Sequence, residues 1–137
     1  MGQNQLTLTM QLKALPGKSL SSGELKLYAY PDHMPDTPVG CVELYNYDPV
    51  NRRAAVGIVV SNEYRHQGFG SIIIQALTQF CLQNTSLHQL YADIAANNGP
   101  SIRIFQNAGY QHCATLRDWV DRADHFIDTY RYQLILN

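Results

Sequence analysis

The stretch of this chain whose residue types and spacing best suit chemistry is Arg65-His66-Gln67-Gly68-Phe69-Gly70. The apolar run Ala54 to Val60 stops just before it, and an apolar run of a different period starts inside it. Glycine is costly inside a strand or a helix. A Gly-x-Gly pair beside an arginine makes sense where the backbone itself must come close to something. A helix that starts here points its unpaired first N–H groups, and the positive end of its dipole, at the turn. Consecutive turn N–H groups also form a concave nest for phosphate oxygens. Gly68 and Gly70 carry no side chains to hold a pyrophosphate away, and Arg65 adds a charge-assisted contact. His66 either touches phosphate or is solvated. The rival reading is a tight turn whose glycines serve backbone torsions alone. Two common phosphate loops are absent: there is no G-x-x-x-x-G-K-[ST], and G-x-G-x-x-G lacks its third glycine.

The elements that must hold this loop follow from hydrophobic period. Gln5 to Leu12, Glu24 to Tyr30 and Gly40 to Tyr47 alternate polar and apolar residues, and each predicts a strand. Ala54 to Val60 is apolar on both faces, as a central strand is. Phe69, Ile72, Ile73, Ala76, Leu77 and Phe80 recur at helical spacing, which predicts a helix from about Gly68 to about Gln83. Leu87 to Ala95 is the next strand. Asn98-Gly99-Pro100 is a helix-start signal for a short helix that ends at Gly109. The stretches 109–116 and Asp128 to Leu136 read as closing strands, with Arg117 to Ile127 a polar loop between them. Neither an internal repeat nor an interdomain linker is present, and residues 1–137 read as one domain.

Bulk numbers narrow the function. The chain has 137 residues, 45% of them hydrophobic and 15% charged, with a formal net charge of −1. That composition fits a globular domain, and it offers no basic excess to hold a nucleic-acid backbone. The apolar runs are too short to span a membrane, and the first residues lack a signal-peptide pattern. Cys41, Cys81 and Cys113 form no paired framework, which fits free thiols in the cytoplasm. With His88 and His112 they show no metal-ligand spacing, so no metal is expected. Trp119 and the tyrosine-rich C-terminus read as strand packing. Asp121, Asp124 and Asp128 read as a solvated loop, or less simply as a patch for a polyamine.

Taken in order along the chain, three segments resemble the GNAT superfamily of N-acetyltransferases. Arg65, Gly68 and Gly70 match its Arg/Gln-x-x-Gly-x-Gly/Ala signature. Asn98, Ser101, Gly109 and Tyr110 fit its Asn-x-x-Ser segment, which runs on to Gly-Phe or Gly-Tyr. The segment Cys41 to Val60 is similar to the strand pair before the loop in ribosomal-protein and polyamine N-acetyltransferases. The resemblance implies an α/β (α+β) fold: a mixed, mostly antiparallel central sheet with flanking helices, here without the family's usual N-terminal helices. It implies acetyl-CoA as cosubstrate, no metal, and transfer of an acetyl group to a primary amine by direct attack on the thioester. Ile58, Val59 and Val60 would border the pantetheine arm, with main-chain groups of Ile58 and Val60 pairing to it and the Val60 N–H polarising the thioester carbonyl. The amides of Arg65, His66, Gln67, Gly68, Phe69, Gly70 and Ser71 would cradle the pyrophosphate. Asn98 and Ser101 would touch the far side. The strands near Val60 and Ile94 would splay apart to admit the coenzyme.

Acetyl transfer needs a neutral amine and hence a proton acceptor. Glu43 is the candidate base, beside the reading that it is the solvent-facing residue of an alternating strand. Tyr45 and Asp48 could line the same side. In similar enzymes a tyrosine protonates the leaving thiolate. Here that position is Phe105, which is counted with the coenzyme contacts, and Tyr110 stands as a possible substitute. Phe105 and the short front end leave a rival function open, a non-catalytic coenzyme-A-binding or dimerisation module. The short front end also implies an acceptor groove that is open or is closed by a second copy, hence a homodimer. The acceptor is a small-molecule or peptide amine.

Overall fold

Leu25, Leu27 and Ala29 project from one side of their strand, and Lys26, Tyr28 and Tyr30 from the other. That alternation decides the layering: one face of the sheet carries the helices and the other does not. The computed structural model describes residues 9–137. Its strands are β1 (Met10–Ala14), β2 (Leu25–Pro31), β3 (Gly40–Asp48), β4 (Arg53–Val60), β5 (Gln89–Ala95), β6 (Gln111–Asp121) and β7 (Phe126–Ile135). Two helices, α1 (Phe69–Asn84) and α2 (Gly99–Asn107), flank β5 in the chain. The strands form one sheet in the order β1-β2-β3-β4-β5-β7-β6. All neighbours are antiparallel except β4 and β5. The mixed, mostly antiparallel architecture expected from the sequence is the one observed.

The helical period of α1 lays Ile73, Ile74, Leu77 and Cys81 on the sheet, against Leu27, Val42, Leu44 and Leu90. Each of these side chains is almost fully buried, and burying one large aliphatic group contributes about 1.5–3 kcal/mol. Thr85, after the last turn of α1, donates its hydroxyl proton to the Cys81 carbonyl at 2.7 Å. The opposite face of the sheet presents Lys26, Tyr28, Cys41, Glu43 and Tyr45, all of intermediate burial. The loop between β1 and β2 leans over it with a short 3-10 turn, Leu20–Ser22.

Two expectations change. The Arg117 to Ile127 segment is not a loop: β6 and β7 continue through it as a hairpin arm, and only residues 122–125 turn. Its polar composition hid the strands, because the arm projects into solvent and has no buried face to impose alternation. Trp119 (64% exposed) and Phe126 (57% exposed) sit on this arm, so Trp119 does not pack as expected. Asp128 accepts the Asp118 N–H at 2.9 Å and Asp121 accepts the Ala123 N–H at 2.8 Å, so both carboxylates shape the arm and its turn. The first predicted strand begins at Met10; residues 5–8 of that expectation lie outside the described residues.

Candidate functional site

Hydrogen-bond parity on β4 creates the site. The Ser61 N–H donates to the Val39 carbonyl at 2.9 Å, and Val60 faces Gly40 in the ladder. Antiparallel bonding alternates residue by residue. Val59 and Ser61 therefore bond toward β3, while Ile58 and Val60 direct their main-chain groups toward β5. Yet β5 meets β4 only at Arg53↔Gln89, Ala54↔Leu90 and Ala55↔Tyr91. Beyond Ala55 the two strands separate, and among the described residues the Ile58 and Val60 main chain has no strand partner on that side. The Arg65 Nε–H donates to the Val60 carbonyl at 3.0 Å, which leaves the Val60 N–H directed into the gap.

The loop beyond β4 is a run of exposed amides. His66 (φ 63) and Gly68 (φ 84) both adopt left-handed backbone. Such turns bring successive N–H groups to one side, and Gly68 is also the N-cap of α1, where the first helical amides are unpaired. The Gln67 side chain turns away, donating to the Glu63 carbonyl at 3.2 Å. Across from α1 stands the first turn of α2, capped by Asn98, whose Oδ1 accepts the Ser101 N–H at 3.3 Å. Between the two helix starts and the end of β4 runs a groove of about 590 Å³.

That groove gathers most of the residues expected from sequence. Ile58, Val59, Val60, Arg65, His66, Gly68, Phe69, Gly70, Ser71, Asn98 and Ser101 all line it. The two glycines have different tasks, however. A Cβ on Gly68 would meet nothing within 4 Å, so that residue serves its positive φ and keeps the groove open. A Cβ on Gly70 would lie 2.5 Å from the Ile104 Cδ1, so Gly70 lets α1 and α2 approach rather than clearing space for a phosphate. Tyr64, Pro100, Arg103, Ile104 and Asn107 also line the groove and were not anticipated. The signal for Arg103 and Asn107 was present: they lie four residues apart, one turn of α2, on the side that carries Pro100.

Phe105, Tyr110, Glu43 and Asp48 stand outside the groove. Phe105 is 2% exposed and packs edge-on against Tyr110 at 5.0 Å between ring centroids. It lies in the core and not on the groove. Tyr110 is 3% exposed, and its hydroxyl has no hydrogen-bond partner among the described residues. Burial pushes that phenol far up, with Cys81 adding to the shift. A hydroxyl sealed beside Cys81 cannot reach a thiolate in the groove, so Tyr110 is not the substitute acid. Glu43 is on the other face of the sheet, opposite Gly57 in the ladder, with Lys26 Nζ at 3.8 Å. There it borders a hollow under the β1–β2 loop with Tyr45, Glu24 and Lys18. Asp48 is turned to its own bend: it accepts from the Asn51 side-chain amide and from the Asn51 and Val50 N–H groups, and these bonds hold its carboxyl below the usual range.

The model of the Acetyltransferase (GNAT) family matches residues 14–110, which include β4, the amide loop and both helices. The chain belongs to the GNAT acetyltransferase family. Among curated relatives, the uncharacterized N-acetyltransferase p20 of Bacillus licheniformis is 26% identical over 100 residues, 73% of this chain and 56% of the relative. The spermidine N(1)-acetyltransferase of Vibrio cholerae is 24% identical over 72 residues, 53% of this chain and 42% of that enzyme. The chain thus spans about half the length of the curated relatives it matches. Similar solved structures include a spermidine N-acetyltransferase chimera of Vibrio cholerae and hSSAT, with a TM-score of 0.80 at 16% identity, covering 93% of this chain and 96% of that one. Another is the Vibrio cholerae spermidine N-acetyltransferase in complex with CoA and spermine, with a TM-score of 0.77 at 18% identity, covering 85% and 68%. In this GNAT chain, the parted β4–β5 pair and the amide loop both lie within the matched residues.

Proposed function

We propose that this chain is an acetyl-CoA-dependent N-acetyltransferase whose acceptor is a small-molecule or peptide amine. The observation that carries this reading is the gap between β4 and β5, where the Ile58 main chain and the Val60 N–H face no strand and lead to the amide nest at α1. The groove fits a long, narrow ligand with an anionic end. Its strand edge offers alternating donors and acceptors to an amide-bearing arm, and its loop offers N–H groups to a diphosphate. Ile58, Val59 and Val60 border the arm. Arg65, His66 and the amides from Gln67 to Ser71 hold the diphosphate, and Asn98 and Ser101 close the far side. Acetyl-CoA supplies the activated acyl group, and the amine attacks it directly. The Val60 N–H stands where charge would develop on the thioester oxygen, as an oxyanion-type donor.

Helices α1 and α2 and the core occupy one face of the gap, so the amine arrives from the other face. Glu43 is on that face. Gly57, its ladder partner, lies three residues from Val60, roughly 10 Å at the rise of a strand. A proton removed from the amine would reach Glu43 through water. Among the described residues Tyr64 is the one tyrosine that lines the groove, and we assign the return of a proton to the departing thiolate to solvent.

The polyamine acetyltransferases among its relatives and neighbours favour a small amine. A dodecameric form is known for the Vibrio cholerae enzyme. We place the reaction in the cytoplasm and in a single domain, and propose a self-assembled protein, a homodimer at its smallest, joined through the exposed Trp119 and Phe126 arm. Calorimetry with acetyl-CoA followed by a thiol-release assay over a panel of amines tests the function. Binding with amine-dependent release is expected. Binding without release on any amine would make the chain a coenzyme-binding module, and no binding would end the proposal. Sedimentation of the wild type and of Trp119→Ser tests the assembly.

A further inference from the structure

Coenzyme A carries two separate anionic groups, a diphosphate and a 3′-phosphate on its ribose. The amide loop and Arg65 provide for the first. The α2 wall of the groove holds a second cation with no task yet assigned to it. Arg103 lies on the exposed side of α2, one turn after Gly99 and one turn before Asn107, and both Arg103 and Asn107 line the groove. Its chain neighbour Ile104 meets α1 so closely that a Cβ on Gly70 would stand 2.5 Å from the Ile104 Cδ1. Arg103 therefore sits beside the crossing of the two helices, close to the end of the amide loop but not part of it.

The guanidinium has a defined place and no carboxylate beside it. Its Nη1 lies 3.3 Å from where a Cβ on Gly99 would be, so the side chain folds back over the first turn of α2. Gly99 does not adopt left-handed backbone, so torsion does not call for glycine there, and its missing side chain leaves room for the guanidinium. Arg53 and Arg131 pair with Asp48 and Asp93, but none of the ion pairs among the described residues includes Arg103. Nor is any described residue that lines the groove an aspartate or a glutamate. In a chain of formal net charge −1, the groove gathers Arg65, Arg103 and His66 with no acidic group. The two arginines serve different walls. Arg65 is tied to β4 by its bond to the Val60 carbonyl at 3.0 Å, whereas Arg103 faces the groove from α2. A guanidinium free of carboxylates binds a phosphate through two parallel bonds.

We propose that Arg103 binds the 3′-phosphate of the coenzyme and makes this chain select acetyl-CoA over its 3′-dephospho form. This rests on the acetyl-CoA reading above and names the group that reads the nucleotide end. The 3′-phosphate is one ribose ring from the diphosphate, so its partner must stand near the amide loop without sharing it, as Arg103 does. A phosphomonoester carries a charge of about −1.5 to −2 at pH 7, which suits a guanidinium with no other anion to hold. Asn107, one turn further along α2, sets an amide on the same wall. Arg103 is thus a specificity-determining residue for the coenzyme, apart from the groups that meet the thioester.

Calorimetry on the full chain compares acetyl-CoA with acetyl-3′-dephospho-CoA for the wild type, Arg103→Met and Arg103→Lys. The wild type should bind acetyl-CoA about tenfold more tightly, the worth of one charge-assisted contact, and the gap should narrow as salt rises. Arg103→Met should cut that preference to about twofold while leaving acetyl-3′-dephospho-CoA within about twofold of its wild-type affinity, a coupling between residue and phosphate. Arg103→Lys keeps the charge without the fork and should retain part of the preference. Equal binding of the two coenzymes by the wild type overturns the proposal and leaves the acetyltransferase reading standing. So does an Arg103→Met variant that loses affinity for both alike, which would put the guanidinium on the diphosphate, or one that keeps the full preference. Should Arg103→Met fold poorly, Arg103→Lys and the wild-type preference decide. A chain that binds neither coenzyme overturns both.

Discussion

Replacing Gly70 with alanine sets a methyl group 2.5 Å from the Ile104 Cδ1 and 3.1 Å from its Cγ1. Contacts that short do not persist, so either Ile104 leaves its rotamer or the first turn of α1 moves off α2. Overpacking of this kind costs about 1–3 kcal/mol. Alanine in place of glycine returns at most about 1 kcal/mol of helix propensity. The net loss expected is about 1–2 kcal/mol, read as a lower urea midpoint at unchanged slope. Ile104→Val removes the Cδ1 atom and by itself costs about 0.5–1.5 kcal/mol. If the clash is the cause, Gly70→Ala/Ile104→Val should be no less stable than Ile104→Val alone, a coupling of about 1–2 kcal/mol. Because α1 and α2 form the two walls of the groove, the single Gly70→Ala variant should also bind acetyl-CoA about tenfold more weakly, about 1.4 kcal/mol. Strictly additive stabilities, or a Gly70→Ala variant as stable as the parent, would refute the close-approach argument.

Other variants probe the rest of the site. Asn98→Ala removes the acceptor of the Ser101 N–H and should cost about 1 kcal/mol by urea unfolding, with weaker acetyl-CoA binding by calorimetry. Tyr110→Phe deletes a buried hydroxyl without a partner, so it should raise stability by about 1 kcal/mol and leave the thiol-release rate unchanged; a large fall in rate would restore Tyr110 to catalysis. The Cys81 thiol is pushed up to about 12 by burial, from an ordinary 9.0. Its folded value is raised, so its stabilisation is complete below pH 9 and is lost as pH climbs toward 12, with a slope of about 1.4 kcal/mol per pH unit. Alkaline unfolding should therefore start near pH 9, and Cys81→Ala should flatten that limb.

Local periodicity carried much of the fold in the sequence. The alternation in Leu25–Pro31 and the helical spacing from Phe69 to Phe80 both report one buried face, and both elements formed within about a residue of expectation. The β6–β7 arm was illegible for the converse reason, since strands without a buried face leave no alternation to read. At the site, Arg65, Gly68 and Asn98 were legible because backbone geometry demands those residue types at those positions. The partner of Gly70 was not, because Ile104 is 34 positions away in sequence and only the packing of α2 on α1 brings them together. Tyr110 misled for a related reason: a hydroxyl in a motif shows its chemistry but not which side of the sheet it faces. The strand alternation of Glu43 predicted a solvent-facing residue, and the register adds what one strand cannot show, namely that Gly57 is its neighbour and the parted strands lie beyond.

The most direct test is a titration of the ¹⁵N-labelled chain with acetyl-CoA, following each backbone amide. The account predicts that the largest shifts fall on Ile58, Val60 and the amides from His66 to Ser71, with the β6–β7 arm unmoved. Saturating ligand that leaves the Val60 and Gly68 amides in place, or shifts confined to the face of Tyr45, would contradict it.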